Sequence, residues 1–301
     1  MESGVIVFSE RDALYEDQMT ETLRVPAFER TRGPLRAFAT FDFLVSQKQV
    51  RPRFLYDAVS GLRGPQPLAV LDVGCGGGKE VLTRLGPVAG VDISLRALAN
   101  ARRMYDVCVR HDVRAGLPFP DASFDVVNCS DVLGHFHESE RDRLLDEIHR
   151  VLRPGGSFLA FIETWSAVYD ANRARFPDWY PQFLDVMVAK TGHIELEPHG
   201  VALRRLEGRG FDAVRLELLS SRWGYARGHL PWPDATFPAP SVRHAILRGL
   251  ASLAVRTQAT EAALDDALGI LEILSRGAAD ARDSIAILVH ARAARSTSLG
   301  P

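Results

Sequence analysis

The sequence predicts an α/β fold: a doubly wound, mostly parallel seven-stranded sheet with added helical cap segments. Between about Leu68 and Phe161, short β-rich runs alternate with helical patterns, the order expected of a parallel sheet flanked by helices. Two further strand candidates lie beyond Val201, and the segments before and between these pieces read as helix.

In chain order, the first sixty residues look helical, most clearly Phe38–Leu62. Strand candidates follow at Leu68–Val73, Val88–Val91, Val107–Arg110, Phe124–Cys129 and Ser157–Ile162, with helix candidates between them at Lys79–Leu85, Leu95–Tyr105 and Glu140–Leu152. In the last helix Leu144, Ile148 and Leu152 recur every four residues and form an apolar face. Arg153-Pro154-Gly155-Gly156 then stops that helix and turns the chain into the next strand. A helix near Val201–Glu207 feeds a strand at Ala213–Leu219, and Ser284–His290 reads as the last strand. The interval from Ser221 to Arg282 is too long for a hairpin turn and reads as an insertion, with helical patterns through Val242, Ile246 and Leu250 and through Leu264, Leu268, Leu271 and Leu274. The expected organisation is a helical cap at 1–64, a ligand-binding core at 65–165, a cap or substrate segment at 166–200, a continuation of the core at 201–221, a helical insertion at 222–282, and a final strand with tail at 283–301.

Composition excludes several classes. The chain has 301 residues, 46% hydrophobic and 25% charged, values of a globular protein rather than a disordered or fibrous one. Thirty-six Lys+Arg against 38 Asp+Glu leave a net charge of -2, without the cationic field that draws proteins to nucleic acid or anionic lipid. The early apolar run Val5–Phe8 is shorter than a signal peptide's hydrophobic segment, and no stretch approaches the roughly 18 apolar residues of a membrane span, so a cytoplasmic protein is expected. Three widely spaced cysteines, Cys75, Cys108 and Cys129, suggest neither a disulfide framework nor a cysteine-rich zinc site.

The chemistry concentrates in Val70-Leu71-Asp72-Val73-Gly74-Cys75-Gly76-Gly77-Gly78-Lys79-Glu80, an apolar strand that ends in a glycine-rich turn and enters a helix. Glycines tolerate positive φ and let a ligand approach the backbone, and amides at a helix start can meet an anionic group. Twenty positions after Asp72, Val88–Val91 ends at Asp92, where a carboxylate at a strand tip can accept both hydroxyls of a ribose. The dinucleotide spacing G-x-G-x-x-G is not met, because Lys79 or Val81 falls at the third glycine position. Asp72 would repel a pyrophosphate and favour a ligand bearing an ammonium and a sulfonium, which points to S-adenosylmethionine.

With these residues in place, the sequence resembles the class I S-adenosylmethionine-dependent methyltransferases, particularly those acting on small molecules. Val91-Asp92-Ile93-Ser94 is similar to the family's ribose-binding segment, and His111-Asp112-Val113, with Leu117–Asp125 after it, is similar to its adenine-binding segment. Arg150–Gly156 is similar to the turn before its fifth strand, and the likeness spans about residues 68–162. The resemblance implies a Rossmann-like sheet whose seventh strand is antiparallel beside the fifth; here that strand is Ser284–His290. It also implies Gly74, Cys75 and Gly76 around the methionine part and Asp72 near its ammonium. Asp92 and Ile93 would lie at the ribose, Asp112 and Val113 at the adenine, and Cys129 or Ser130 under the sulfonium.

His135 falls just after the fourth strand, where many relatives carry a histidine, and is the first candidate for a substrate-orienting group or base; Glu163, at the end of the fifth, is the second. His135 and His137 have no third ligand motif beside them, so no metal is expected. Tyr169, Phe176, Trp179, Tyr180, Phe183, Trp223, Tyr225 and Trp232 are candidates for a pocket wall, and the arginines at 173, 175, 204, 205 and 209 read as solvated helix faces. The expected reaction is methyl transfer to an O, N or C nucleophile of a small organic acceptor, with specialised metabolites included, by a monomer or homodimer that engages neither nucleic acid nor membrane. The competing readings are an NAD(P)-dependent oxidoreductase and a non-catalytic binding subunit on the same fold.

Overall fold

The computed structural model describes residues 22–45, 49–167, 192–220 and 284–294, together with isolated positions at 170, 174, 260, 263, 266, 267, 270 and 274. Among the described residues, three helices precede the sheet: α1 (Ala27–Arg30), α2 (Leu35–Val45) and α3 (Val50–Leu62). The core then runs through β1 (Val70–Val73), β2 (Val88–Asp92), α4 (Leu95–Ala101), β3 (Val107–Arg110), β4 (Phe124–Ser130), α5 (Glu138–Val151), β5 (Leu152–Glu163), α6 (His199–Glu207), β6 (Phe211–Ser220) and β7 (Ser284–Ala293). The strands form one seven-stranded sheet in the order β3-β2-β1-β4-β5-β7-β6. β1 to β5 pair in parallel, while β7 lies antiparallel between β5 and β6.

The apolar runs are continuous because both faces of the sheet are covered. From β1, Leu71 and Val73 enter one core cluster with Leu144, Leu145 and Ile148 of α5, while Val70 enters a second with Leu55 and Val59 of α3 and Leu98 of α4. β7 divides likewise: Ile287 and Val289 join the first cluster, whereas Leu288 packs on Phe54 of α3. Ser94 caps α4 by accepting from the Ala97 amide, and Glu140 accepts from the His137 amide at the start of α5.

Three local expectations change. The segment after the glycine turn is a short 3-10 helix, Glu80–Arg84, because Gly86-Pro87 leaves no room for a longer one. The turn Arg153–Gly156 does not precede β5 but bulges out of it: Phe124 pairs with Leu152 and Val126 already with Ser157. α4 ends at Ala101, short of Tyr105, whose ring turns into the second core cluster. The helical patterns expected in 222–282 fall outside the described residues except at the isolated positions, as do the pocket-wall aromatics and the arginines at 173 and 175. Among the described residues, no helix is long and apolar enough to cross a membrane.

The N-terminal segment is tied to the core at two places. Leu23 donates to the Gly78 carbonyl at 2.9 Å and accepts from the Glu80 amide at 2.8 Å, a parallel bridge onto the glycine turn. On α1, Glu29 accepts from Tyr56 at 2.6 Å and from Arg84 at 2.8 Å. The Arg84 bonds hold the Glu29 carboxyl down at about 2 despite partial burial. A depressed carboxylate stabilises the fold above its unfolded pKa, near 4.5, and that stabilisation is lost as pH falls toward 2. Urea titrations should show wild type losing about 1 kcal/mol more than Glu29→Gln between pH 5 and pH 2.5, the size of a partly exposed ion pair. In the sheet, fully buried Phe158 packs on Phe211 with ring centroids 4.9 Å apart, so Phe158→Ala should cost about 3–5 kcal/mol by the same measurement.

Candidate active site

β1 and β4 are neighbours, and the chain leaves β1 toward β2 and β3 on one side and β4 toward β5 on the other; this is the switch point at which open α/β sheets bind ligands beyond the carboxyl ends of their strands. A cavity of about 420 Å³ lies there, large enough for a nucleoside-sized ligand. Its wall includes Gly74, Cys75 and Gly76 after β1, Asp92 and Ile93 after β2, Asp112 and Val113 after β3, and Ser130, Asp131 and His135 after β4. Gly74 sits at φ +60, and a β-carbon there would lie 2.4 Å from Val132 Cγ2, so glycine is required.

Three members of the sequence-predicted set do not line this space: Asp72, Cys129 and Glu163, the last of which contacts His193 instead. Asp72 is fully buried beneath the turn, where both carboxylate oxygens lie 3.0 Å from Lys79 Nζ. Tyr105 and Asn128 donate to the same carboxylate at 2.7 Å and 2.6 Å. Its charge is therefore answered from within the protein rather than by a ligand's ammonium, and the lysine seven residues on is the reason. Cys129 is likewise fully buried, in the core below the sheet's end; Ser130 takes the place at the cavity and donates to Asn128 at 2.9 Å.

The amides expected to meet an anion are also engaged. Lys79 N–H donates to the Tyr105 hydroxyl at 2.6 Å and Glu80 N–H to the Leu23 carbonyl at 2.8 Å. A diphosphate consequently finds no cradle at these two amides.

Asp92 stands at the tip of β2 and accepts from the Gly76 amide at 2.8 Å and the Ser94 amide at 2.9 Å. Burial pushes its carboxyl up, and the two amides oppose that rise. Each oxygen retains lone-pair capacity toward the cavity. Asp112 caps the short 3-10 turn Val113–Ala115 and takes the Arg114 guanidinium on both oxygens at 2.9 Å; against the pull of burial, Arg114 holds its carboxyl below the usual range.

On the opposite wall, Asp131 follows β4 with φ +65, and Arg51 of α3 reaches across to it at 3.0 Å. His135 stacks on His193, ring centroids 4.6 Å apart, and His193 in turn contacts Glu163 and lies 3.8 Å from Asp131. Burial opposes a charge on His193, but Asp131 and Glu163 overcome it and raise its pKa to about 9; burial and the neighbouring His193 push His135 down. Burial would raise the Asp131 carboxyl, yet His193 and Arg51 hold it well below the carboxylate range. His137 takes no part, being placed at the start of α5. His193 is held by its neighbours: Ile194 N–H donates to the Gly134 carbonyl at 3.0 Å, and buried Arg141 bonds the Leu133 and Glu195 carbonyls. Arg205, expected on a solvated face, instead anchors the same segment through Glu197, with Glu138 and Asp142 as further partners.

Reasoning from sequence missed Arg51, Leu23 and His193. None belongs to a local motif; His193 follows Gly192 in a polar stretch, and only the tertiary fold brings it beside His135.

Residues 71–160 match the family model described as Methyltransferase domain. An uncharacterized 37.1 kDa transposon protein of Streptomyces fradiae is 31% identical over 191 residues, 60% of this chain and 50% of that protein. A probable S-adenosylmethionine-dependent methyltransferase of Mycolicibacterium smegmatis is 40% identical over 97 residues, 30% of this chain and 36% of that one. The chain thus spans half or less of the length of these relatives. Among solved structures, the [4+2]-cyclase SpnF aligns with a TM-score of 0.46 and 24% identity, covering 80% of each chain. Residues 71–160, under a third of the chain, thus carry a methyltransferase-domain match on a seven-stranded Rossmann-like sheet. The carboxylate of Asp92 beside a glycine turn is a donor set that suits the ribose of a nucleoside such as S-adenosylmethionine.

Removing the ammonium from Lys79 strands the Asp72 charge in the interior. Lys79→Met should lower stability by about 3–5 kcal/mol, and adding Asp72→Asn should restore most of it, as urea denaturation of the single and double variants will show.

Proposed function

We propose that the protein transfers the methyl group of S-adenosylmethionine to an O, N or C nucleophile of a small organic acceptor. The observation that carries this reading is the cavity at the β1–β4 switch point, with the Asp92 carboxylate and the Gly74–Gly76 turn on one wall and polar residues from distant segments on the other. The commitment of the Lys79 and Glu80 amides to Tyr105 and Leu23 supports a nucleoside without a diphosphate and weighs against a nicotinamide dinucleotide. The net charge of -2 favours a small acceptor over a nucleic acid.

The cofactor supplies an electrophilic methyl on a cationic sulfur. In the proposed arrangement Gly74, Cys75 and Gly76 border the methionine part, Asp92 and Ile93 the ribose, Asp112 and Val113 the adenine, and Ser130 the sulfonium. Because Asp112 is bound by Arg114, its carboxylate meets an adenine amino group only alongside that guanidinium. His135 and Glu163 belong to the acceptor side, Glu163 acting through His193. Their work is to hold and orient the nucleophile near the transferring methyl, since methyl transfer gains chiefly from near-attack alignment and exclusion of water. Leu23 and Arg51, on the cavity wall, assist that exclusion.

Calorimetry with S-adenosylmethionine tests the assignment. The wild type should bind, and Asp92→Ala should weaken binding about tenfold or more through loss of charged hydrogen bonds to the ribose. Equal affinity in the variant removes Asp92 from the site, and transfer of labelled methyl to a panel of small acceptors separates an enzyme from a binding subunit.

A further inference from the structure

We propose that Asp131, His135 and His193 form a binding site for a divalent transition-metal ion on the acceptor side of the cavity. Among the described residues, one ligand atom from each of these three side chains lies within 4.8 Å of the other two. Two imidazoles and one carboxylate are a donor set suited to Mn²⁺, Fe²⁺, Co²⁺ or Zn²⁺, and three protein ligands leave coordination positions for a substrate. No local spacing points to this set, because the nearby pair is His135 with His137; the fold substitutes His193, 58 positions from His135, and adds Asp131.

Three further observations favour a cation here. Arg51 takes Asp131 Oδ2 at 3.0 Å, while Oδ1 is buried without a hydrogen-bond partner. That free oxygen is the one facing His193, at 3.8 Å from Nε2. Glu163 contacts the same His193 nitrogen, Nε2, that faces Asp131, so two carboxylates converge on one edge of the imidazole, with Arg51 paired to Asp131. The backbone of Asp131 is held in the left-handed region, φ +65, which costs a non-glycine residue about 1–3 kcal/mol and points to a side chain whose direction matters.

Both Asp131 and His135 line the cavity, so an ion held by them faces the same space as the Asp92 wall. On the methyl-transfer reading, it would anchor an acceptor through its oxygen atoms; metal binding itself does not rest on that reading. The test is a titration of the metal-stripped protein with Co²⁺ alone, followed by the visible absorption of the bound ion, with S-adenosylmethionine affinity measured separately on every sample. Wild type should take up one equivalent, and Asp131→Asn and His193→Ala should each weaken uptake about tenfold or more while cofactor affinity holds. Asp131→Asn keeps the side-chain shape, so it decides the matter should His193→Ala fail to fold. Absence of a visible band in wild type, or the same uptake by Asp131→Asn, overturns the metal site and leaves an ion-paired histidine cluster. Loss of cofactor affinity in wild type would instead defeat the methyltransferase reading alone.

Discussion

Everything at this sheet edge depends on a carboxylate that water never touches. Asp72 lies one residue before the end of β1 with no exposed surface, and four contacts from three side chains, Lys79, Tyr105 and Asn128, converge on it. Burying an ion pair contributes little net stability against a hydrophobic alternative of equal shape, but it penalises any arrangement in which one partner is displaced. Lys79 must fold back over seven residues to meet Asp72, and doing so dictates how the glycines between them turn. Asn128 links the same carboxylate to β4 and, through Ser130, to the cavity wall. The ligand-facing geometry of β1 and β4 is thus referred to one buried charge.

A second theme is the origin of the cavity wall. The strand tips provide one side from a compact stretch of sequence. The other side is assembled from Leu23 and Arg51, which precede the sheet, and from a residue set that reaches His193. Arg141 and Arg205 explain how the latter segment keeps its place: Arg141 bonds its Glu195 carbonyl and Arg205 its Glu197 carboxylate, a role for which a planar fork is suited.

The strand positions and the tips of β2 and β3 were legible because apolar runs, turns and acids occur in register along the chain, whereas the place of the last strand beside the fifth came from the family resemblance. Asp92 could be placed from spacing and Asp112 from the family resemblance of His111-Asp112-Val113, and both border the cavity. Asp72 was legible as a strand-end acid but not as a buried one, since a sequence cannot show that a lysine seven residues away will turn inward. Cys129 and Ser130 differ by one position, and in a strand that reverses the face, so the pattern could name the pair but not choose between its members. His193 was illegible for a different reason: its significance comes from a contact between segments with no shared periodicity. The length of the Glu80–Arg84 helix was misjudged because Lys79–Leu85 is apolar enough for an α-helix, while Gly86-Pro87 limits its reach.

The position of β7 has a consequence for assembly. Residues 284–293 pair with β5 on one side and β6 on the other, yet they follow β6 by more than sixty positions. While the polypeptide emerges from the ribosome, β6 lacks its neighbour among the described strands, and the β5 edge that β7 will cover waits for the later strand. An open apolar edge is a template for mispairing. The order of synthesis therefore conflicts with the order of the sheet, and the interval before β7 inserts is the moment at which a nascent copy is most vulnerable to aggregation.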